Sequence, residues 1–514
     1  MNEERHQAYL TLIESLLTCP SDEQTAILQA HLELLDDDFA RYLREGATQT
    51  LEKLEVHPPY YLANIFLCLE ISFSSLQQGS RASNIEIAIA CLDIGLTIFT
   101  REAYSEDWAR FQKSLGWNYL YRIKGERSEN IERAIAFYEA ALQVYTPDAF
   151  PQDWAMTQNN LAYAYDSRIK GERSENIERA IAFYEAALQV YTPDAFPQDW
   201  AMTQYNLANA YDSRIKEERS ENIERAIAFY EAALQVRTRD AFPQQWAMTQ
   251  HNLADVYRGR IKGERSENIE RAIAFYEANL ELGTRDAFPQ QWAMTQHNLA
   301  LAYYSRIKGE RSENIERAIA FYEAALQVRT RDAFPQQWAH TQNNLANAYR
   351  GRIKGERGEN IERAIAFFEA ASEVYTRPAF PEHWAMTHNN LALTYSDRIK
   401  GERGENIEKA IAFFEAASEV YTRDAFPQHW AMTQNNLANA YSDRIKGEPG
   451  ENIEKAIALY EAALEVRTRD AFPEDWANTQ NNLAAAYSNR IKGERGENIE
   501  KAIAFFEAAS EVYT

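Results

Sequence analysis

The sequence predicts an all-α fold, an α-solenoid in which ten antiparallel helix pairs form a right-handed superhelix behind an N-terminal helical cap. A unit of 46 residues recurs along the chain, as its tripeptide Asn-Ile-Glu shows at Asn130, Asn176 and Asn222. A fixed period of roughly 20 to 50 residues is typical of stacked repeats. Each unit contains two segments with apolar residues at helical spacing and without internal proline. That pattern favours two helices per unit.

The composition is that of an ordered protein, with 45% hydrophobic and 25% charged residues. A chain of 514 residues would ordinarily form about three domains, whereas stacked repeats form one continuous core. The net charge of −23 disfavours nucleic acid and anionic membranes as partners, because both reward clustered Lys and Arg.

Neither a secretion signal nor a membrane span is expected. The start, MNEERHQAYL, lacks a basic segment followed by an apolar one, and no run of about 18 apolar residues occurs. The cysteines Cys19, Cys68 and Cys91 include no CxxC pair, and a sparse, odd set is typical of reduced thiols. We therefore expect a cytoplasmic protein.

The chain divides into a cap over residues 1–57 and a solenoid over residues 58–514. The cap segments HQAYLTLIESLL and EQTAILQAHLELL have helical apolar spacing but do not fit the repeat. An atypical end is expected where a repeat array must cover its outer apolar face. The first two helix pairs are degenerate copies; Leu62, for example, occupies the position of the later tryptophans.

Within a unit, the first helix is expected to begin near Pro197, because proline suits a position that needs no N–H partner. Leu207 and Tyr211 are four residues apart and predict the face that packs on the partner helix. Asn176 is the expected N-cap of the second helix, and Tyr184 belongs to its buried face.

This pattern resembles the tetratricopeptide repeat. That family places Leu, a small residue and Tyr on its first helix, then Ala, an aromatic residue and Ala on its second. The matching residues are, in order, Leu161, Ala162, Tyr165, Ala180, Tyr184 and Ala187. The unit here is longer than the family's 34 residues, and the extra residues fall at the helix junctions. The resemblance implies a concave surface of first helices that binds extended peptides or partner helices.

A narrower resemblance is to bacterial proteins in which such arrays precede a caspase-like CHAT peptidase domain. It rests on the segments ENIERAIAFYEAAL and WAMTQNNLA. No peptidase-like segment follows the repeats in this sequence, and no cysteine follows Cys91, so peptidase activity is not expected here. The alternative function is a sensory or regulatory arm of a CHAT-type peptidase system, with catalysis on another chain.

Candidate binding residues lie on one face of the first helix. The positions equivalent to 156, 159, 163 and 166 share that face and differ between copies, and variation is easiest where side chains leave the packed core. The alternative is neutral drift on a solvated face. The expected partner-binding residues at these positions are Asn159, Tyr205, His251, His297, Asn343, Tyr163, Asn209, Asp255, Asn347, Arg258, Tyr304 and Arg350.

An asparagine recurs beside them in every well-preserved copy. In the resembled family this residue can hold the backbone of a ligand, since an amide both donates and accepts hydrogen bonds. The alternative, weighted more heavily, is that it binds the neighbouring helix. These residues are Asn160, Asn206, Asn252, Asn298, Asn344, Asn390, Asn436 and Asn482.

No catalytic residue, metal or cofactor is expected. The HExxH, GxxxxGK[ST], GxSxG and GxGxxG motifs do not occur. His251 and His297 lie one repeat apart, roughly 10 Å, which is too far for a shared metal. In the loop RIKGER, a basic stripe could bind an anionic partner, but pairing of Arg168 and its equivalents with glutamates such as Glu178 is the favoured interpretation.

The last helix carries Phe505, Phe506 and Val512 with no following helix to cover them. We therefore expect this end to contact another copy or another subunit. The favoured function is a non-enzymatic scaffold that binds a protein or peptide along its first helices.

Overall fold

The computed structural model describes residues 3–20, 22–54, 59–76, 78–282 and 285–513. Over these residues the regular structure is helical throughout, which confirms the predicted all-α class. The contacts divide the chain into two compact units, residues 1–262 and 263–514. Among the residues so described, no helix combines the length and apolar character needed to cross a membrane.

The N-terminal helices precede the first helix pair. They are α1 (Glu3–Thr18), α2 (Gln24–Ala30), a short 3-10 helix (Leu32–Leu34) and α3 (Asp37–Leu54). The pair consists of α4 (Pro59–Ser75) and α5 (Arg81–Ile98); α2 contacts α4, and α3 contacts α5. The predicted boundary at residue 57 lies outside the described residues and stays a prediction.

The rest of the first unit alternates first and second helices. Its helices are α6 (Ser105–Tyr121), α7 (Arg127–Ala141), α8 (Pro151–Asp166), α9 (Arg173–Ala187), α10 (Pro197–Ser213), α11 (Arg219–Val236) and α12 (Pro243–Gly259). From α4 to α12 each helix packs against its neighbours in sequence, and the first helices α4, α6, α8 and α10 also contact one another in order. The first helices therefore lie side by side.

The second unit repeats the same alternation, and each of its helices also packs against its neighbours in sequence. The predicted solenoid of helix pairs is thereby confirmed within each unit. The helices are α13 (Arg265–Leu282), α14 (Pro289–Ser305), α15 (Arg311–Leu326), α16 (Pro335–Arg350), α17 (Arg357–Ser372), α18 (Pro381–Ser396), α19 (Arg403–Ser418), α20 (Pro427–Ser442), α21 (Pro449–Leu464), α22 (Pro473–Ser488) and α23 (Arg495–Tyr513).

The first helices begin where the sequence indicates. Helix α10 starts at Pro197, and Phe196 before it has a non-helical backbone with φ −138° and ψ 63°. Leu207 and Tyr211 are buried as predicted, at 0% and 3% exposure. The small residue between them, Ala208, is also fully buried, which permits the close approach of the second helix.

The start of the second helix differs from the prediction at Asn176. Helix α9 begins at Arg173 with Glu172 as its N-cap, so Asn176 lies inside the first turn and is not the cap. Its buried amide instead donates to the carbonyl of Lys170 at 2.9 Å, across the turn in which Gly171 has a φ of 78°. Asn176 therefore fastens the loop to the helix.

The last helix, α23, exposes residues that earlier copies bury. Ile503 is 50% exposed, whereas the equivalent Ile411 and Ile457 are 5% and 4% exposed. Phe506 is 44% exposed, against 1% for the equivalent Phe414. The contact of this face with another copy or subunit stays a prediction.

Candidate functional site

Consecutive repeats are joined by an arginine that follows each first helix from α8 onward. Arg168 donates from Nε and Nη2 to the two carboxylate oxygens of Glu132 on α7, both at 2.7 Å, and its guanidinium lies over the ring of Tyr165. We call this contact the arginine clamp. It recurs as Arg214–Glu178, Arg260–Glu224, Arg306–Glu270, Arg352–Glu316, Arg398–Glu362, Arg444–Glu408 and Arg490–Glu454.

In the arginine clamp, the arginine of the basic loop pairs with a glutamate of this chain. The paired guanidinium lowers the pKa of Glu132 below its ordinary value, and the same holds for Glu178. Bidentate pairs of this kind fix geometry as well as charge. The interpretation of the loop arginine as an internal ion-pair partner is confirmed.

The position of Asn159 and its equivalents on the first helix is buried in most copies, whereas the sequence predicts that it faces a groove. Asn159, His251, His297 and Asn343 are 4%, 4%, 2% and 1% exposed. Their side chains reach a threonine on the next first helix. Asn159 accepts from Thr203 at 3.2 Å, His297 Nδ1 lies 3.1 Å from the hydroxyl of Thr341, and Asn343 donates to Thr387 at 2.9 Å.

Tyr205 occupies the same position and is half-buried. Because every copy from α8 onward retains the threonine, the variation at this position is confined to side chains that can hydrogen-bond to it or pack over it. This constraint comes from the contact between repeats.

The eight recurrent asparagines are all half-buried. Apart from Asn298, which also interacts with a neighbour, they fall into two groups. Asn252 donates to Tyr205 Oη and to Asn209 Oδ1, both at 2.9 Å. Asn344 lies 3.3 Å from His297 Nε2, and Asn482 donates to Asn435 at 3.3 Å. These three hold the preceding first helix, as the alternative interpretation states.

The second group keeps its amides available. Asn160 and Asn206 in the first unit, and Asn390 and Asn436 in the second, form no side-chain hydrogen bond with any described residue. The sequence does not distinguish the two groups, since the residue type and position are the same.

The remaining predicted residues mostly contact neighbours in the helical stack. Asp255 lies 3.4 Å from His251 and 3.6 Å from Arg258. Tyr304 donates to the Asn347 carbonyl at 3.5 Å. Arg350 pairs with Asp397 at 3.8 Å. Tyr163, by contrast, is 37% exposed.

A groove of about 820 Å³ lies along the first helices of the first unit. Five of these helices line it: α4, α6, α8, α10 and α12. It brings together six of the predicted residues, Asn159, Asn160, Tyr163, Tyr205, Asn206 and Asn209. Further lining residues that the sequence prediction missed include Glu70, Lys113, Trp117, Tyr121, Met156, Met202, Arg237, Gln245 and Met248.

The groove offers apolar surface to solvent. Trp117, Met202 and Met248 are 44%, 38% and 48% exposed. The Trp117 and Tyr121 rings have centroids 4.5 Å apart, and Tyr121 stacks with Tyr163 at 6.5 Å. Burial raises the pKa of Tyr121 to about 12, so its hydroxyl stays neutral. The recurrence of methionine at one helix position was the signal in the sequence that could have marked this surface.

Two charged groups of the groove already have partners. Glu70 is 4% exposed and accepts from Asn118 at 2.6 Å; burial raises the pKa of Glu70 above its ordinary value. Lys113 donates to Asp153 at 2.6 Å. In the part of the chain that the structure describes, no three His, Cys, Asp or Glu residues lie close enough to hold a metal ion.

Two family models match the sequence along its length. A tetratricopeptide repeat model matches residues 154–194, 292–332 and 430–470. A Sel1 repeat model matches residues 110–143, 201–235, 247–279, 339–373, 385–419 and 477–511. No curated protein matches the chain.

Solved structures share the fold. A signal transduction ATPase with numerous domains, with a tetratricopeptide repeat sensor, from Pyrococcus horikoshii is 14% identical with a TM-score of 0.51; the match covers 88% of this chain and 65% of that one. BtubC from P. vanneervenii is 21% identical over 48% of this chain and 91% of its own, with a TM-score of 0.36. A Rap protein complexed with competence and sporulation factor is 10% identical over 79% and 97%, with a TM-score of 0.43.

Proposed function

We propose that this chain, which matches tetratricopeptide-repeat and Sel1-repeat models, is a non-enzymatic scaffold that binds a protein or peptide along its first helices. The observation that carries the proposal is the groove of the first unit, to which five consecutive first helices contribute. Concave sites with apolar walls and a few polar groups are the usual ligand sites of proteins.

The walls of the groove suit an extended peptide. Asn160 and Asn206 lie one repeat apart on α8 and α10, and their amides form no hydrogen bond with a described residue. An amide can donate to a peptide carbonyl and accept from a peptide N–H, so it holds a backbone whatever its sequence. Between them, Met202 and its equivalents supply flexible, polarisable surface for apolar side chains.

A catalytic role does not form part of the proposal. General acid–base chemistry needs a titratable group within reach of a substrate proton. Glu70 and Lys113 are each held by a neighbouring side chain, at 2.6 Å from Asn118 and Asp153. Asp199 also lines the groove, and burial raises its pKa. It forms no hydrogen bond or ion pair with a second titratable side chain among the described residues, so we propose recognition only.

The test uses a library of random 12-residue peptides, selected for binding to the full chain. We expect the selected peptides to lose affinity about fivefold with Asn206→Ala, since a hydrogen bond between one neutral amide and a peptide backbone is worth roughly 1 kcal/mol. Met202→Glu should weaken binding further by placing a charge in the apolar wall. Affinity is read by fluorescence anisotropy and folding by circular dichroism.

The chain supplies a matched control in Asn436→Ala. Asn436 occupies the same repeat position with an equally available amide, but it lies in the second unit, away from this groove. It should leave binding unchanged. Peptides whose affinity is the same with Asn206→Ala, Met202→Glu and Asn436→Ala would contradict the proposal.

A further inference from the structure

Arg237 contributes a cation to the groove. It follows α11, and its guanidinium lies 4.6 Å from the centroid of the Tyr205 ring. Its Nη1 donates to the hydroxyl of Thr249 at 3.2 Å. The side chain is half-buried, yet none of the described carboxylates pairs with it. Arginine stays protonated in proteins, so a positive charge stands in the groove wall without a counter-ion.

Other copies show what this charge lacks. Arg467 occupies the same repeat position and makes the same contact, donating to Thr479 at 3.2 Å. It also has a carboxylate partner, Asp475, at 3.6 Å. In the copy that lines the groove, the position of Asp475 is taken by Gln245, which is exposed and also lines the groove. Arg329, in the second unit, repeats the arrangement of Arg237: it donates to Thr341 at 3.1 Å and has Gln337 at the position of Asp475. The cation is therefore retained in two copies in which a neutral amide replaces the carboxylate.

The position does not require arginine for folding. Tyr145, Tyr191 and Tyr421 stand at the equivalent positions and are each 1% exposed. The helix junction thus accommodates a neutral aromatic side chain. A tyrosine would therefore serve the fold at position 237 as it does at these three positions.

The charge and surroundings of Arg237 identify the ligand group. A half-buried charge is unfavourable until an opposite charge reaches it, and a guanidinium matches a carboxylate through two parallel hydrogen bonds. Lys113, the other cation of the groove, is already paired with Asp153. One available positive charge beside the neutral Gln245 suits a monoanion better than a phosphate dianion.

We propose that Arg237, assisted by the amide of Gln245, binds an aspartate or glutamate side chain of the peptide that occupies the groove. This inference rests on the proposed function, because the carboxylate is delivered by a bound peptide. It adds a selectivity that the backbone-holding asparagines do not provide.

The random 12-residue peptide library tests the inference on the full chain. Peptides selected on the wild type are expected to share an acidic residue at one position. Arg237→Tyr, which installs the residue found at position 191, should weaken their binding on the order of 30-fold, the low end of the range for loss of one member of a desolvated charge pair, because Arg237 is only half-buried. Gln245→Asp should weaken it similarly, because it recreates the internal pair seen between Arg467 and Asp475.

Control experiments distinguish a carboxylate on a peptide side chain from the carboxylate at the peptide C-terminus. Arg467→Tyr, at the internally paired copy, should leave binding unchanged. Replacing the shared acidic residue by its amide should weaken binding to the wild type but have little further effect with Arg237→Tyr. Amidation of the peptide C-terminus should have no effect; if it alone abolishes binding, the assignment to a side chain is wrong.

The two proposals fail in different ways. This inference alone would be overturned by peptides that lose affinity with Asn206→Ala, and therefore bind the groove, but that share no acidic residue and bind Arg237→Tyr as tightly as the wild type. Peptides insensitive to every groove substitution, or a selection that yields no binder, would overturn both.

Discussion

The contact between repeats and the groove of the first unit are built from the same helices but vary differently from copy to copy. At the contact, the arginine clamp keeps one pair of residue types and a spacing of 2.6–2.9 Å. In the groove, equivalent positions hold Asn209 and Tyr163, or Arg237 and Tyr191. Packing at close-packed density permits little change, so the uniform residues identify the scaffold, and the variable ones identify where a partner is free to shape the surface.

The buried position of Asn159 and His297 limits that rule. The residue at this position varies between copies, but it lies between neighbouring first helices. It hydrogen-bonds there to a threonine that recurs in every copy from α8 onward. Variation therefore marks a recognition surface only where it coincides with exposure. The following predictions test the two regions separately: changes at the contact should alter stability without altering peptide selectivity, and changes in the groove should do the reverse.

The largest effect is expected at Tyr138, which fills the space between the helices of its pair. It is 0% exposed, and its ring lies so close to Gly116 that a Cβ there would stand 2.6 Å from it. Tyr138→Ala should reduce the free energy of unfolding by about 3–5 kcal/mol, as deletion of a buried aromatic ring usually does. Denaturant unfolding of the full chain, followed by circular dichroism, measures it.

Tyr138→Phe is the matched variant. The Tyr138 hydroxyl is buried without a hydrogen-bond partner among the described residues, and Phe368 and Phe414 stand at equivalent positions. Removing an unpartnered hydroxyl should raise stability by up to ~1 kcal/mol. If Tyr138→Phe reduces the free energy of unfolding as much as Tyr138→Ala does, the hydroxyl, and not the ring, stabilises the packing of this helix pair.

The next effect is expected at an arginine clamp. Glu316 accepts from Arg352 at 2.7 and 2.6 Å, with both side chains about three-quarters buried. Glu316→Gln should reduce the free energy of unfolding by about 1–2 kcal/mol, between the values for exposed ion pairs and for buried charged hydrogen bonds. Unfolding at pH 7 measures the loss, and a peptide that binds the groove of the first unit should bind unchanged.

The same clamp predicts a pH dependence. Arg352 lowers the pKa of Glu316 in the folded protein, so the pairing stabilises above the ordinary glutamate pKa of about 4.3. That contribution is lost as the pH falls through the lower pKa of the folded state. The melting temperature of the wild type should therefore fall below about pH 4.3 more steeply than that of Glu316→Gln. Parallel curves would contradict the role of the clamp.

Periodicity was sufficient to predict the fold. The 46-residue spacing, Pro197 at a helix start and the buried faces of Leu207 and Tyr184 all follow from local pattern. The prediction for Asn176 was wrong, because an asparagine side chain satisfies a loop carbonyl as well as a helix N-terminus. Which of the two it bonds depends on the turn at Gly171, a geometry that residue type does not specify.

The site was predicted less completely for a different physical reason. One face of a first helix includes several residue positions. Comparing the residues of the repeats does not indicate which of these positions the next first helix covers. Asn159 and Asn160 are adjacent, yet one is 4% exposed and the other half-exposed. Arg237 lies outside the first helix and reaches the groove only through the packing of α11 beside α10, so no motif on the first helix could include it.

The smallest effect is expected at Glu217, where one copy departs from an otherwise uniform loop. Its φ of 65° is in the left-handed region, which the other loops occupy with glycine, as at Gly171 and Gly493. An L-residue is unfavourable there by roughly 1–2 kcal/mol, partly offset by the ion pair of Glu217 with Arg214 at 2.5 Å. Glu217→Gly should therefore raise the free energy of unfolding by about 0.5–1 kcal/mol. The Glu217 side chain is 45% exposed and that of Arg214 is 10% exposed, and a pair at the surface contributes at most ~1 kcal/mol.

Salt separates the two terms of that balance. Salt screens the ion pair of Glu217 but does not change the backbone strain. The gain in the free energy of unfolding from Glu217→Gly should therefore increase between about 0.05 and 1 M salt. The increase should be roughly a few tenths of a kcal/mol, the usual contribution of a pair at the surface. Gly171→Glu, the reverse change in the neighbouring loop, should reduce stability by a similar amount. If Glu217→Gly lowers stability at high salt, the loop glycines are not retained for their backbone conformation, and the uniformity of the scaffold there has another cause.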